Sequence, residues 1–538
     1  MQSLETEVLI IGGGMAGLRA AIETGKNGVD TVVISKSSIG LGCNSALAGG
    51  GFAMARPGLS REDHTASTFT AGKNLNDPDL VHELAANGEK EGEFLRSIGV
   101  DLGPQPFGYW VEKRKKSGNV KITGGRIATK KILEECRKYD QIRFIPHFFV
   151  YKILLLDNRV SGVIGFDKEG ALWLISSKAI ILATGGGAGI YRRNDNCKGI
   201  LGDGYALAME AGLPLFDMEF VQFYPLGFAQ PGLPQAIIYP PFPSEAKMLD
   251  AEGNDFLKKN GIEMELFRFV VSLRDKASYL IYKESQEGKV LMDYTRVPEE
   301  KWNEYPFNLF PTKRFNFQEK PFQIAPVAHF FMGGVKITPR GQTGIQGLFA
   351  AGEVTSGVHG ANRLGGNGLT ECLVFGANSG LSAADYARSN TLRKSSFNSE
   401  EWLKSLMSDK GESKCRYEIS NLLKRIRDIA WTDAGPIRNE TGMRKGLSQL
   451  EGIGEELKNL KVDNTVNLIS RKEVETSLLV LQSILMSSLA RQESLGAFQR
   501  EDYPHPSNQL KRVSVTMGEK GEGLKIHETY QPVKEGNG

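Results

Sequence analysis

The sequence predicts an α/β protein whose nucleotide-binding domain is left and re-entered by the chain, followed by a helical C-terminal region. Three observations carry this. The apolar run Val8-Leu9-Ile10-Ile11 leads into Gly12-Gly13-Gly14-Met15-Ala16-Gly17 and then a helical stretch, and three further strand-then-glycine units recur far along the chain. Residues 400–495 alternate Leu and Ile with Lys and Glu at three-to-four spacing, the pattern of amphipathic helices. The 62 glycines among 538 residues show no Gly-X-Y period and no low-complexity tract, so they must serve particular points.

A chain this long predicts two to four domains. With 66 Lys+Arg against 63 Asp+Glu the net charge is +3, which argues for neither a nucleic-acid nor a membrane-surface partner. Cys43, Cys136, Cys197, Cys372 and Cys415 form no CxxC pair, so no disulfide framework, zinc site or iron–sulfur ligand set is readable and no metal is expected. The opening MQSLETEVLIIGGG has too short an apolar stretch for a signal segment, and nowhere do 18 apolar residues run together. A cytoplasmic protein with no direct membrane span is expected.

The G-x-G-x-x-G spacing of Gly12 to Gly17 between strand and helix lets backbone approach a pyrophosphate, which the helix N-terminus attracts. The next strand, Thr31 to Ile34, ends at Ser35-Lys36, where a dinucleotide binder usually has an acidic residue for the ribose. Lys36 suits either a 2′-phosphate or a surface position with Ser35 on the ribose. Gly40 to Gly51, containing Asn44, Ser45, Ala48, Gly49 and Gly50, is a loop poor in bulky side chains and suited to a flat ring system. A third strand, Ala179 to Leu182, ends in Gly185-Gly186-Gly187, and Gly202-Asp203-Gly204 opens a helix. A fourth, Leu348 to Ala351, ends at Gly352-Glu353 and leads to HGANRLGGNGL, residues 359–369.

AGGGFA at 48–53, ATGG, GDG, AHFFMGG, AAGEV, HGANRLGGN and RQESLGAFQREDYP together resemble the flavoprotein subunits of the fumarate reductase and succinate dehydrogenase family, which includes L-aspartate oxidase, over about residues 5–505. Leu495 and Phe498 stand where that family usually has Arg and His. The resemblance implies a FAD-binding Rossmann-like domain (1–224 and 326–385) interrupted by an α+β capping domain (225–325). A helical domain (400–505) and a polar tail (506–538) follow. It implies FAD in the Gly12–Gly17 site, matches Ser35-Lys36 to a Ser-Lys pair common in the family, and places Asp203, Glu353 and the Gly368-Leu369 backbone on the flavin's ribityl and adenosine parts. Asn44 replaces the histidine to which respiratory members attach the flavin, so non-covalent FAD is expected.

By the same resemblance Arg274 is the general acid, and His329 and Arg363 bind a substrate carboxylate, with Tyr224 in the substrate site. The reaction implied is hydride exchange between flavin and an unsaturated or saturated carboxylic acid; L-aspartate oxidase chemistry and a non-catalytic electron-relay flavoprotein are the alternatives. A separate iron–sulfur protein is an implied partner, and through it a peripheral place at a membrane. The cap departs from the family: Tyr224-Pro225-Leu226-Gly227 replaces His-Pro-Thr-Gly, and Ile238 to Glu245 replaces the stretch holding the acid and base that reload the arginine. Glu245, Tyr224 and Tyr239 are the remaining candidates for that task. Ile484-Leu485-Met486 reads as bundle core, and Lys113 to Lys116 as a solvated basic loop.

Overall fold

The computed structural model describes residues 2–112, 123–240, 242–304, 307, 310, 315–395, 397–407, 415–518 and 522–531; the basic run at 113–116 lies outside them. Gln2–Ile11 is the central strand of a seven-stranded sheet. It pairs in parallel with Thr31–Ser35 on one side and Leu172–Leu182 on the other, and Ile142–Pro146 continues the first side. Val8, Leu9, Ile10, Val32, Val33, Ile180 and Ile181 are fully buried, as parallel strands covered on both faces require. Leu348–Ala350 joins the C-terminal half of Leu172–Leu182 in parallel, while the antiparallel pair Arg159–Phe166 and Phe149–Leu156 extends its N-terminal half. The chain thus leaves the sheet after Leu182 and returns, as the repeated strand–glycine units indicated. The carboxyl ends of Gln2–Ile11, Thr31–Ser35, Leu172–Leu182 and Leu348–Ala350 lie at one edge, where open α/β sheets bind ligands.

Gly12 shows why glycine follows the first strand. Its φ is +128°, and a Cβ would sit 2.0 Å from the Ala183 carbonyl oxygen. A Cβ on Gly17 would meet the Gly12 carbonyl at the same distance, so this glycine lets helix Met15–Lys26 close onto the turn.

Residues 225–325 carry a core of their own. Val221–Phe228 pairs antiparallel with Phe322–Phe331, followed by Val290–Asp293 and Lys247–Leu249. Behind them Phe228, Tyr294, Phe310, Phe317 and Phe322 pack ring against ring around Ile281 and Ile324. Helix Arg274–Glu287 lies on Val221–Phe228, with Ser278 Oγ donating to the Phe223 carbonyl. The C-terminal helices Cys415–Asp433, Glu440–Asn459 and Thr465–Ala490 form a bundle with Ile484 and Leu485 fully buried; Asn439 and Asn464 cap the last two.

The polar tail is a correction. Leu510–Met517 and Leu524–Gln531 form a hairpin in register from Leu510↔Gln531 to Met517↔Leu524, and its first strand pairs with Leu215–Phe216. Val513 and Val515 are fully buried at alternate positions, a period of two that the surrounding Gly, Lys and Glu obscure. Phe498 is fully buried edge-on to Phe220 beneath the Arg438 guanidinium.

Arg491, fully buried, ties bundle to hairpin. It donates from Nε to Glu219 at 2.6 Å, from Nη1 to Glu493 at 2.7 Å and from Nη2 to the Lys511 carbonyl at 2.6 Å. Breaking a buried pair strands the surviving charges, so Arg491→Ala is expected to lower unfolding free energy in urea by about 3–5 kcal/mol. Arg143→Ala, which loses the exposed pair with Asp30, should cost less than about 1 kcal/mol.

Candidate functional site

Two hollows meet at the carboxyl edge of the main sheet. One is a cleft bordered by Gly12, Gly13, Gly14, Met15, Ala16, Ser35, Lys36, Thr184 and Asp203. The other is a cavity of about 1090 Å³ bordered by Ala48, Gly49, Gly50, Tyr224, Arg274, His329, Arg363, Gly368 and Leu369. Asn44, Ser45, Glu353 and Cys372 border both, so the two form one groove. Gly17 borders neither and acts through the closure of the helix onto the Gly12 turn described above.

The groove suits a dinucleotide. Gly13 and Gly14 present bare backbone, and Thr184 Oγ1 and Asp203 Oδ1 are buried without a hydrogen-bond partner among the described residues. Lys36 is committed elsewhere: its Nζ binds Asp203 at 2.8 Å and Glu473 at 3.0 Å, and these carboxylates raise its pKa against the opposing effect of burial. Its side chain thus anchors the helix that Asp203 begins while the residue borders the cleft. Asn44 donates from Nδ2 to Asn196 at 2.7 Å and accepts from the Cys197 amide at 3.0 Å. Glu353 accepts from the Phe331 amide at the junction of the hollows, and burial pushes its carboxyl up to about 7.

The larger cavity gathers the predicted substrate residues. Arg274, at the start of helix Arg274–Glu287, donates from Nη2 to the Arg363 carbonyl at 2.6 Å. Arg363 donates from Nη2 to Gln222 Oε1 at 2.8 Å and lies over the Phe330 ring at 4.3 Å. Burial, then the charge of Arg274, pushes the Arg363 guanidinium down to about 9; burial also lowers Arg274. The Nε of each arginine is buried without a partner among the described residues. His329 Nδ1 lies 2.7 Å from Asp195 Oδ2, which leaves Nε2 as the ring nitrogen for another partner.

Tyr224 lies 5.8 Å, ring to ring, from His329 and donates its hydroxyl hydrogen to the Ile238 carbonyl; Tyr239 donates to the Leu47 carbonyl. Glu245 does not border the cavity. It is paired with Lys301 at 2.9 Å on the protein surface.

Sequence reasoning missed the supporting residues. Asp195 orients His329, while Gln222 and Asn362 brace Arg363: Gln222 Nε2 donates to Asn362 Oδ1 at 2.6 Å and to the Arg363 carbonyl at 3.2 Å. Asn362 donates in turn to Asp275, whose carboxyl burial raises. The available signal was position: Gln222 and Tyr224 alternate along one strand, and Asp275 and Asn362 adjoin named residues.

A model of the FAD binding domain family matches residues 7–369, and one of the fumarate reductase flavoprotein C-terminal region matches 423–536. The chain belongs to the fumarate reductase and succinate dehydrogenase flavoprotein family. FAD is accordingly its cofactor, and the chain is a family oxidoreductase. An uncharacterized FAD-dependent oxidoreductase of Methanocaldococcus jannaschii is 32% identical over 533 residues, covering 96% of this chain and 97% of that one. The fumarate reductase flavoprotein of Escherichia coli is 30% identical over 559 residues, covering 93% of this chain and 89% of that one. A structure of Escherichia coli quinol fumarate reductase shares the fold with a TM-score of 0.85 at 28% identity, over 98% of this chain and 97% of that one. Among its described residues, the chain has no helix long and apolar enough to cross a membrane.

The Glu353 carboxyl gives a pH signature. The folded protein holds its proton more tightly than the unfolded chain, so this group's contribution to stability falls as pH rises from about 4.5 to about 7. Glu353→Gln is expected to flatten that limb by at most about 3 kcal/mol in urea unfolding of FAD-stripped protein.

Proposed function

We propose that this flavoprotein interconverts an unsaturated and a saturated carboxylic acid, the observation that carries the reading being Arg274, Arg363 and His329 converging on one cavity beside the FAD groove. Reduced FAD, when bound, supplies the hydride. Arg363 offers a guanidinium fork to the substrate carboxylate, and His329 Nε2 adds a second contact, its ring held by Asp195. Arg274 supplies the proton from a guanidinium N–H not engaged by the Arg363 carbonyl. Burial eases that loss by disfavouring the charged form. Asp275, raised by burial and with an Oδ1 lacking a partner among the described residues, is placed to return a proton to Arg274 in place of the family's missing relay.

Residues 1–224 with 326–385 serve as the FAD domain and 225–325 as the cap that brings Arg274 over it, so catalysis falls at their boundary. All five cysteines are free, and the reading assigns electron delivery to a separate iron–sulfur protein, the whole acting in the cytoplasm or at a membrane through its partners. Asn44, held by Asn196 and Cys197, offers no attachment point for the flavin.

Two measurements test this. With flavin reduced anaerobically, fumarate or another enoate is expected to restore the oxidised spectrum, and Arg274→Ala should slow that step by about 10²–10⁴-fold; equal rates in the variant would remove the acid assignment. Acid precipitation is expected to leave the yellow colour in the supernatant, and a coloured pellet would show a covalent link.

A further inference from the structure

The cavity is built from two contact networks of opposite character. In the polar one, Arg274 binds the Arg363 carbonyl, Gln222 and Asn362 brace Arg363, and Asn362 binds Asp275. Lys73, which also borders the cavity, acts on this same carboxyl, lowering its pKa. These cations therefore gather around one pole. In the apolar network, Trp110 and Tyr239 both close on the backbone of Gly49: a Cβ there would lie 3.2 Å from the Trp110 ring and 3.6 Å from the Tyr239 ring. Tyr239 in turn bonds the Leu47 carbonyl.

The mouth continues this apolar side. Leu47, Phe107 and Val271 border the cavity, yet remain 42%, 43% and 43% exposed. Large apolar side chains left in water at the rim of a cavity with convergent polar groups mark a surface that a ligand covers. The Tyr224 hydroxyl hydrogen is directed to the Ile238 carbonyl.

We infer that the cavity is shaped for a 2-enoate with a single carboxylate and an apolar aryl or alkyl group on its β-carbon. The carboxylate sits between Arg363 and His329, and the apolar group lies along Trp110 and Tyr239 toward Leu47 and Phe107. In the reaction R–CH=CH–COO⁻ gains hydride at the carbon β to the carboxylate and a proton from Arg274 at the α-carbon, giving R–CH₂–CH₂–COO⁻. Both electrons arrive with the hydride, and reduced FAD is the species oxidised. This rests on the function proposed above and narrows its substrate.

The test uses the FAD-loaded protein and has two readouts. Affinities of 3-phenylpropanoate and succinate are measured by titrating the visible spectrum of the oxidised flavin, and anaerobic reoxidation of reduced protein is followed with trans-cinnamate, trans-2-octenoate and fumarate. Binding of 3-phenylpropanoate is expected to be about tenfold or more tighter than that of succinate, and reoxidation by the two apolar enoates faster than by fumarate at equal concentration. Tighter succinate binding with faster reoxidation by fumarate would overturn this inference while leaving the proposed function standing. Failure of every enoate to reoxidise the flavin would remove the proposed function, and the binding ratio would still decide the ligand class. Phe107→Ser and Leu47→Ser, at exposed positions, should each weaken 3-phenylpropanoate about three- to tenfold and leave succinate unchanged. Equal affinity in both variants would overturn the placement of the apolar group.

Discussion

The site depends on holding the buried Arg363 guanidinium against the partly buried Arg274. Burial disfavours each charge, and proximity adds repulsion, which is why the Arg363 guanidinium falls to about 9. The opposing forces are local: the Arg363 carbonyl accepts from Arg274, Gln222 accepts from Arg363, and the face of Phe330 lies under its guanidinium. None of these is an anion in direct contact with Arg363, so Arg363 retains a demand for one. A carboxylate entering the cavity would meet that demand, and on the proposed function the clamping cation stands next to the proton donor.

The rest of the fold follows as the means of bringing those side chains together. The parallel strands end at one edge, where glycine backbone forms the cleft for FAD; Arg363 comes from the loop after the last of these strands. Phe322–Phe331 crosses from the cap core into the main body, carrying His329 near its end, and pairs with the strand that carries Gln222 and Tyr224. Helix Arg274–Glu287 packs across that strand and fixes Arg274 at its first turn. The buried Arg491 network joins Glu219, two residues before the same strand, to the bundle and hairpin.

Much of this was legible in the sequence where chemistry demands a residue type at a fixed spacing. The Gly12–Gly17 turn is an instance: a Cβ at Gly12 or Gly17 collides with backbone, so the motif survives in sequence as glycine. Arg274, His329 and Arg363 were legible through motif resemblance and do border one cavity. The residues that hold them were not, because Asp195, Gln222 and Asn362 act through hydrogen bonds across long chain separations that no local period records. The ion pairs of Lys36 were hidden for the same reason, since its partners Asp203 and Glu473 are remote in sequence. The C-terminal hairpin escaped notice because its apolar residues alternate on one face only and its composition is that of a solvated tail.

If Arg363 and His329, with Arg274 beside them, hold a substrate carboxylate beside the flavin, a crystal structure of the FAD-bound protein with 3-phenylpropanoate will show it. The carboxylate is expected within hydrogen-bonding distance of the Arg363 guanidinium and His329 Nε2, with its α-carbon facing Arg274. A carboxylate bound elsewhere in the groove, with Arg363 still engaged only by Gln222, would contradict this arrangement.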